Sequence, residues 1–251
     1  MLNIVIPMAG AGSRFATAGY KDPKPLIKIN NEPMIRLVIG NLRPSSSHRF
    51  IFICQQAHIE KYELDKKLIE WAPGSVMIAI EGLTEGAACT VLKAKEWIDN
   101  DSPLMIANSD QYIDADINKY LHEMDRCNFD GMIMTMTASD PKWSFVGLDK
   151  NGYVNNVVEK EVISNEATVG IYNFRKGSDF VAAAEKMISM KQVVKGEYYV
   201  APVYNNLIKK GALIRYYNIG SESNGMYGLG TPSDLELFLN NEISSKIDIK
   251  A

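Results

Sequence analysis

Long hydrophobic runs are missing from this 251-residue chain, and so is any excess of positive charge. No apolar stretch approaches the roughly 20 residues that cross a bilayer. A net charge of −3, from 27 Lys and Arg against 30 Asp and Glu, argues against non-specific binding to nucleic acid. Cysteine is scarce. Cys54, Cys89 and Cys127 stand far apart with no Cys-x-x-Cys pair, which reads as reduced apolar filler and not as a disulfide framework. The three histidines, His48, His58 and His122, lack metal-ligand spacing. Internal repeats, low-complexity tracts and linkers are absent too. Met1-Leu2-Asn3 carries no basic region, and Pro7 and Gly10 interrupt the first apolar run, so the reading is of no leader and a cytoplasmic protein.

What is there is an ordinary globular composition, 46% hydrophobic and 23% charged. Short apolar runs alternate with amphipathic stretches. Strands are expected at Leu2–Pro7, Phe50–Cys54, Val76–Ile80 and Leu104–Ala107. Helices are expected at Pro33–Leu42, with Pro33 in the first position, at Ile59–Trp71 and at Ala87–Ile98. That alternation predicts a parallel-type sheet with helices on both faces. The second half is richer in strands: Gly131–Thr137, Phe145–Leu148, Tyr153–Glu159 and Thr168–Phe174, with a hairpin signal at Asp149-Lys150-Asn151-Gly152. Helices return at Ser178–Met190 and Tyr199–Lys210. Thr231-Pro232-Ser233-Asp234, a cap, a proline and an acid, opens a last helix at Leu235–Ile243. The length fits one domain, 1–251, with an α/β half (1–130) and a mixed-sheet half (131–251).

The chemistry begins at Met8-Ala9-Gly10-Ala11-Gly12-Ser13-Arg14, which leaves the first strand. A loop without bulky side chains brings backbone N–H groups close to phosphate oxygens, and Arg14 and Lys24 neutralise their charge. Pro23 and Pro25 fix the backbone that bears Lys24. The run is not a Walker A loop, because no Gly-Lys-Ser/Thr follows, and it lacks the third glycine of a dinucleotide fingerprint. A plain tight turn with two surface cations is the competing reading. Glu81-Gly82-Leu83-Thr84-Glu85-Gly86-Ala87-Ala88 leaves a strand, passes two glycines and enters a helix. Its small residues, Gly86 and Ala87, are expected to let a flat base lie on the backbone, with Thr84 and main-chain groups reading its edge; a plain strand–helix connection is the competing reading. Asn108-Ser109-Asp110 follows a strand, at the end where open α/β sheets bind ligands. Asp110 is either a turn residue or a hard ligand suited to Mg²⁺, and Ser109 lies beside it. In the second half Lys142, Glu159, Lys160, Gly170 and Glu197 are candidates for an acceptor site. There Lys142 and Lys160 meet a phosphate, Gly170 leaves room, and Glu197 recognises a hydroxyl or amine. Tyr198, Tyr199, Tyr204 and Tyr227 line that side or belong to the core.

Taken together, these segments resemble the nucleotidyltransferases of the NDP-sugar pyrophosphorylase superfamily, from Ile4 to Leu239. Gly228-Leu229-Gly230-Thr231-Pro232 is similar to that superfamily's closing Gly-Thr-Pro segment. The resemblance implies a Rossmann-like mixed β-sheet flanked by helices, of the GT-A-like nucleotidyltransferase type, with a smaller acceptor-binding mixed sheet. It implies an NTP on the first loop, Arg14, Lys24 and Asp110 as catalytic residues, and Mg²⁺ on Asp110. The runs Ile53–His58 and Thr84–Thr90 resemble, more closely, a bacterial surface-polysaccharide subgroup like the CTP:phosphoglutamine cytidylyltransferases of capsular phosphoramidate synthesis. That likeness implies CTP and a small phosphorylated acceptor. A sugar 1-phosphate or phosphocholine with another NTP is the alternative. Many relatives carry a second metal-binding aspartate where this chain has Gly228; Asp234 and Glu222 are the other acids nearby in sequence. A glycosyltransferase usually carries a paired Asp-x-Asp at a strand end, and here the run is Asn108-Ser109-Asp110-Gln111-Tyr112. A non-catalytic nucleotide-binding domain is the remaining rival.

Overall fold

The structure is a computed structural model, and it describes residues 1–247. Strands in chain order are β1 (Leu2–Pro7), β2 (Lys28–Ile29), β3 (Glu32–Pro33), β4 (His48–Gln55), β5 (Val76–Ile80), β6 (Leu104–Ala107) and β7 (Gln111–Ile113). They continue with β8 (Gly131–Thr137), β9 (Ser144–Leu148), β10 (Val154–Glu159), β11 (Glu166–Phe174), β12 (Ile214–Glu222) and β13 (Gly225–Gly228). Helices are α1 (Ser13–Thr17), α2 (Met34–Leu42), α3 (Gln56–Tyr62), α4 (Leu64–Trp71), α5 (Ala87–Val91) and α6 (Lys95–Ile98). The remainder are α7 (Ile117–Arg126), α8 (Gly177–Ser189), α9 (Tyr204–Ile208), α10 (Pro232–Leu239) and α11 (Glu242–Lys246). No helix among the described residues is long and apolar enough to cross a membrane.

One mixed sheet runs β5-β4-β1-β6-β11-β8-β12-β13-β7, and β9 and β10 branch from β11. The first four strands are parallel; β11 enters antiparallel between β6 and β8. The strands of the second half therefore continue the sheet of the first half. Alternate side chains of β1 and β4 enter two cores on opposite faces. Ile4, Ile6, Phe50 and Phe52 pack on one face; Val5, Ile51 and Ile53 pack on the other. Cys54 is buried in the first core, and burial pushes its thiol up to about 12, which fits the apolar-filler reading.

Several expected helices have different bounds in the structure, among them Tyr199–Lys210, which is a 3-10 turn at Ala201–Val203 followed by α9. Pro33 caps α2 instead of opening it, because its ψ of 140° is extended and it pairs with Lys28. Ile59–Trp71 is two helices, broken where Glu63 takes a φ of 49°; the break turns Leu64 and Leu68 fully into the core. Ala87–Ile98 tightens to a 3-10 turn at Leu92–Ala94 between α5 and α6, yet Val91, Ala94 and Ile98 stay on the buried face. The last helix splits at Asn240-Asn241, and the Asn241 side chain accepts from the Ile243 amide to start α11. Thr231 caps α10 as expected, accepting from the Asp234 amide at 3.1 Å.

Tyr204 is a core residue. It stacks on Phe174 with ring centroids 4.4 Å apart, and its hydroxyl donates to the Asn173 carbonyl at 2.8 Å. Tyr204→Phe leaves that buried carbonyl short of a donor. We expect a loss of about 1–2 kcal/mol in urea unfolding, with the fold retained.

Candidate functional site

Parallel β4, β1 and β6 deliver three segments to one edge of the sheet: Gln55, the loop from Met8, and Asn108-Ser109-Asp110. Met8 and Ala9 are buried and anchor the loop, with the Met8 amide donating to the Ile53 carbonyl at 3.0 Å. Gly10 and Ala11 are exposed. The amides of Ala9, Gly10 and Ala11 meet no backbone acceptor among the described residues. Gly12 takes a φ of 61°, which turns the chain into α1 and seats Phe15 in a small core of its own. Ser13 and Arg14 stand exposed on α1, and Arg14 has no ion-pair partner among the described residues.

Lys24 opens a short 3-10 turn between Pro23 and Pro25, and its backbone lies against Gly12. Its ammonium donates to Asp110 Oδ2 at 2.7 Å, with about a fifth of each side chain exposed. The two residues are 86 positions apart. Asp110 is held between β6 and β7, and its carbonyl accepts from the Leu229 amide at 2.9 Å. A Cβ on Gly230 would lie 2.7 Å from Asp110 Oδ2, so the Gly-Leu-Gly run gives the carboxylate its space. Ser109 is buried beside it.

The segment Thr84–Ala88 forms a second wall. Gly86 has a φ of 132°, and the chain there bonds to Tyr198 in both directions: Tyr198 N–H to the Glu85 carbonyl at 2.8 Å, Ala88 N–H to the Tyr198 carbonyl at 3.0 Å. The Thr84 hydroxyl is engaged by Gly86 and Thr90 at 3.0 and 2.6 Å. Two of the hydroxyl's three hydrogen-bonding positions are thus taken within the segment itself. A cavity of about 400 Å³ separates the walls, lined by Gly10, Ala11, Thr84, Gly86, Ala87 and Glu197, among others. Glu197, a candidate for the acceptor, thus stands on the same cavity as the first loop. A different cavity, about 650 Å³, between Asn41, Tyr112, Tyr227 and Lys246 takes in Tyr227 but none of the loop, Lys24, Asp110 or acceptor-charge candidates.

The other candidates are spread more widely. Lys160 has a φ of 58°, and its ammonium lies 5.2 Å from the Tyr199 ring. Lys142 is bonded to Glu222 at 2.7 Å, so its charge is already matched. The space over Gly170 is full: a Cβ there would stand 2.1 Å from Asn108 Nδ2 and 2.8 Å from Gln111 Oε1. Gly170 makes room for a neighbouring carboxamide and not for a bound acceptor. The Asp234 carboxylate lies 3.7 Å from where a Gly228 Cβ would stand. Among the tyrosines, Tyr198, Tyr204 and Tyr227 are buried.

Glu159 is buried and bonded to the Ser144 hydroxyl. Burial holds its carboxyl above the usual range, against the pull of Ser144 and Lys160. The folded state therefore keeps this proton to higher pH than the unfolded chain does. Stability falls as pH rises from about 4.3 through the raised value. We expect Glu159→Gln to remove this component, so that the variant gains on the wild type across denaturation curves from pH 4 to 7.

Asp110 offers one carboxylate, and no group of three or more His, Cys, Asp or Glu among the described residues could hold a metal. A single hard oxygen donor fits Mg²⁺ whose other positions are filled by water and phosphate oxygens.

Residues 4–214 match the family described as nucleotidyl transferase. The chain belongs to that family. A nucleoside-diphosphate-sugar pyrophosphorylase from Vibrio cholerae superimposes with a TM-score of 0.81 at 25% identity, covering 94% of this chain and 99% of its own. The inositol-1-phosphate CTP transferase from T. maritima shares the fold, with a TM-score of 0.72 at 12% identity, covering 97% and 93%. By sequence, the bifunctional protein GlmU of Thermodesulfovibrio yellowstonii is 25% identical over 94% of this chain and 51% of its own length. The mannose-1-phosphate guanylyltransferase catalytic subunit beta of Drosophila melanogaster is 28% identical over 68% and 47%. The chain spans about half the length of these two curated relatives.

Proposed function

We propose that this nucleotidyl transferase moves a nucleoside monophosphate from an NTP to the phosphate of a small acceptor and releases pyrophosphate. The observation that carries this reading is the meeting of the Met8–Gly12 loop, Lys24 and Asp110 at one sheet edge, beside a cavity of about 400 Å³. An acceptor phosphate oxygen forms a bond to the α-phosphorus as the bond to the β-phosphate oxygen breaks. The nucleophile is already anionic near pH 7, so no side chain must take its proton. Catalysis is then alignment and charge matching. The loop amides cradle the phosphates, Arg14 neutralises the departing pyrophosphate, and Lys24 leaves Asp110 to meet the α-phosphate. Mg²⁺ on Asp110 would supply charge neutralisation at the phosphates. Asp234, whose carboxylate lies beside Gly228, is the further acid we propose could serve there.

Within this reading CTP is the nucleotide and glutamine phosphate the best-matched acceptor, in surface-polysaccharide synthesis, on the likeness of Ile53–His58 and Thr84–Thr90 to that subgroup. Lys160 and Glu197 orient the acceptor, Glu197 from the cavity wall; Glu159, buried and bonded to Ser144, supports the strand that precedes Lys160. The test is pyrophosphate release from each of four NTPs against glutamine phosphate, glucose 1-phosphate and phosphocholine. Release with CTP and glutamine phosphate is expected. Release with another pair reassigns the substrates, and nucleotide binding without any release removes the transferase reading. Arg14→Ala is expected to lower turnover by about 10²–10³ with unchanged unfolding, because it removes one charge-matched donor.

A further inference from the structure

Gln55 ends β4 and lies in register with Ile80, the last residue of β5. It therefore stands between the loop that leaves β1 and the loop that leaves β5. Its carboxamide Nε2 donates to the Ala9 carbonyl at 2.7 Å and to the Gly82 carbonyl at 2.7 Å. A carboxamide nitrogen has two hydrogens, and both are used. Ala9 belongs to the phosphate-side loop and lines the cavity; Gly82, with a φ of 69°, lies in the loop leaving β5, one residue before Leu83, where the opposite wall begins. Gln55 itself is half-buried on the end of a strand whose preceding five residues are buried. One rigidly mounted amide thus spans the two walls of the 400 Å³ cavity.

We infer that Gln55 is a positioning residue that sets the separation of the phosphate loop and the base-side loop, and through it which nucleobase the cavity accepts. The inference rests on the nucleotide reading of this cavity. Loops held at a fixed gap give up less conformational freedom when a ligand enters, so a bridging amide acts on nucleotide affinity before it acts on chemistry. It also narrows the range of base sizes that fit, since both walls must touch the ligand at once.

The test is calorimetric binding of all four NTPs with Mg²⁺ to the wild type and to two variants, followed by steady-state kinetics. Gln55→Leu keeps the bulk and removes both donors. Gln55→Asn keeps the carboxamide and withdraws it by one methylene, and serves if the leucine variant does not fold. Expected are about a tenfold weaker Kd for the preferred NTP, a reduced ratio of preferred to other bases, and a raised KM with kcat within about threefold. Unchanged affinity and an unchanged base ratio in a folded variant would overturn the inference. So would a lower melting temperature with the base ratio intact, which makes Gln55 only a brace of the fold. If the wild type itself binds no NTP, the nucleotide reading fails and takes the inference with it; wild-type binding with unaltered variants sinks the inference alone.

Discussion

We expect Lys24→Ala to lower turnover by about 10²–10³ and at the same time to strengthen the binding of a bare divalent cation. The first effect is the loss of a donor matched to charge on the reacting phosphate. The second follows from the ion pair at 2.7 Å: with no nucleotide bound, the ammonium occupies the Asp110 oxygen that a cation needs. A metal ion alone must displace Lys24. A metal ion arriving with a triphosphate need not, because the phosphates attract the lysine away. Binding of Mn²⁺ without nucleotide, followed by electron paramagnetic resonance, therefore tightens in the variant while activity collapses. A merely damaged fold would weaken both. Weaker metal binding in a well-folded Lys24→Ala protein would exclude Asp110 as the cation's ligand. Little stability is at stake, since both side chains are partly exposed and such pairs contribute only about 0–1 kcal/mol.

Gly86→Ala is expected to cost on the order of 4 kcal/mol and to abolish nucleotide-dependent stabilisation. Two terms add. A φ of 132° is closed to residues with a side chain, and a Cβ would stand 2.5 Å from the Tyr198 nitrogen and 2.6 Å from its carbonyl oxygen. Those are backbone atoms, held by the two hydrogen bonds that tie Glu85 and Ala88 to Tyr198, so they cannot swing aside as a flexible side chain does. Gly10→Ala is the control. Nothing among the described residues lies within 4 Å of its Cβ position, and unfolding is expected to shift by less than about 0.5 kcal/mol. Guanidinium unfolding of the two variants checks the contrast. Equal stability of both would mean that the Gly86 segment is free to rearrange.

Short, uninterrupted apolar runs were the most legible part of the chain. Leu2–Pro7, Val76–Ile80, Leu104–Ala107 and Gly131–Thr137 have the bounds their apolar runs suggest. The strand β12, Ile214–Glu222, carries little sequence signal because Arg215-Tyr216-Tyr217-Asn218 mixes apolar and polar groups without alternation. The three-residue β7 is too short to carry a period. Helix α7 was overlooked although Asp116 caps it, its carboxylate accepting from the Asn118 and Lys119 amides, and Ile117, Tyr120 and Met124 form its buried face. In the site, loop composition pointed to Gly10, Arg14 and Lys24, while Asp110 stood out only by its place after a strand, and the structure puts it against Lys24. The misreading of Gly170 has a simple cause: a glycine in a strand marks a close approach, and composition does not say whether the neighbour is a ligand or Asn108.

Local pattern decided much on its own here: the β-branched runs, the Thr231 cap, the bare loop after Pro7 and the proline-flanked Lys24. These depend on residues within a few positions of one another, where backbone preference and hydrophobic periodicity act directly. The partners were decided by the folded sheet. Lys24 meets Asp110, Gly86 meets Tyr198, and Gln55 meets both Ala9 and Gly82 only because β5, β4, β1 and β6 align their ends along one edge. That strand order follows from burying two apolar faces at once under two layers of helices, a condition on the whole chain that no single segment carries.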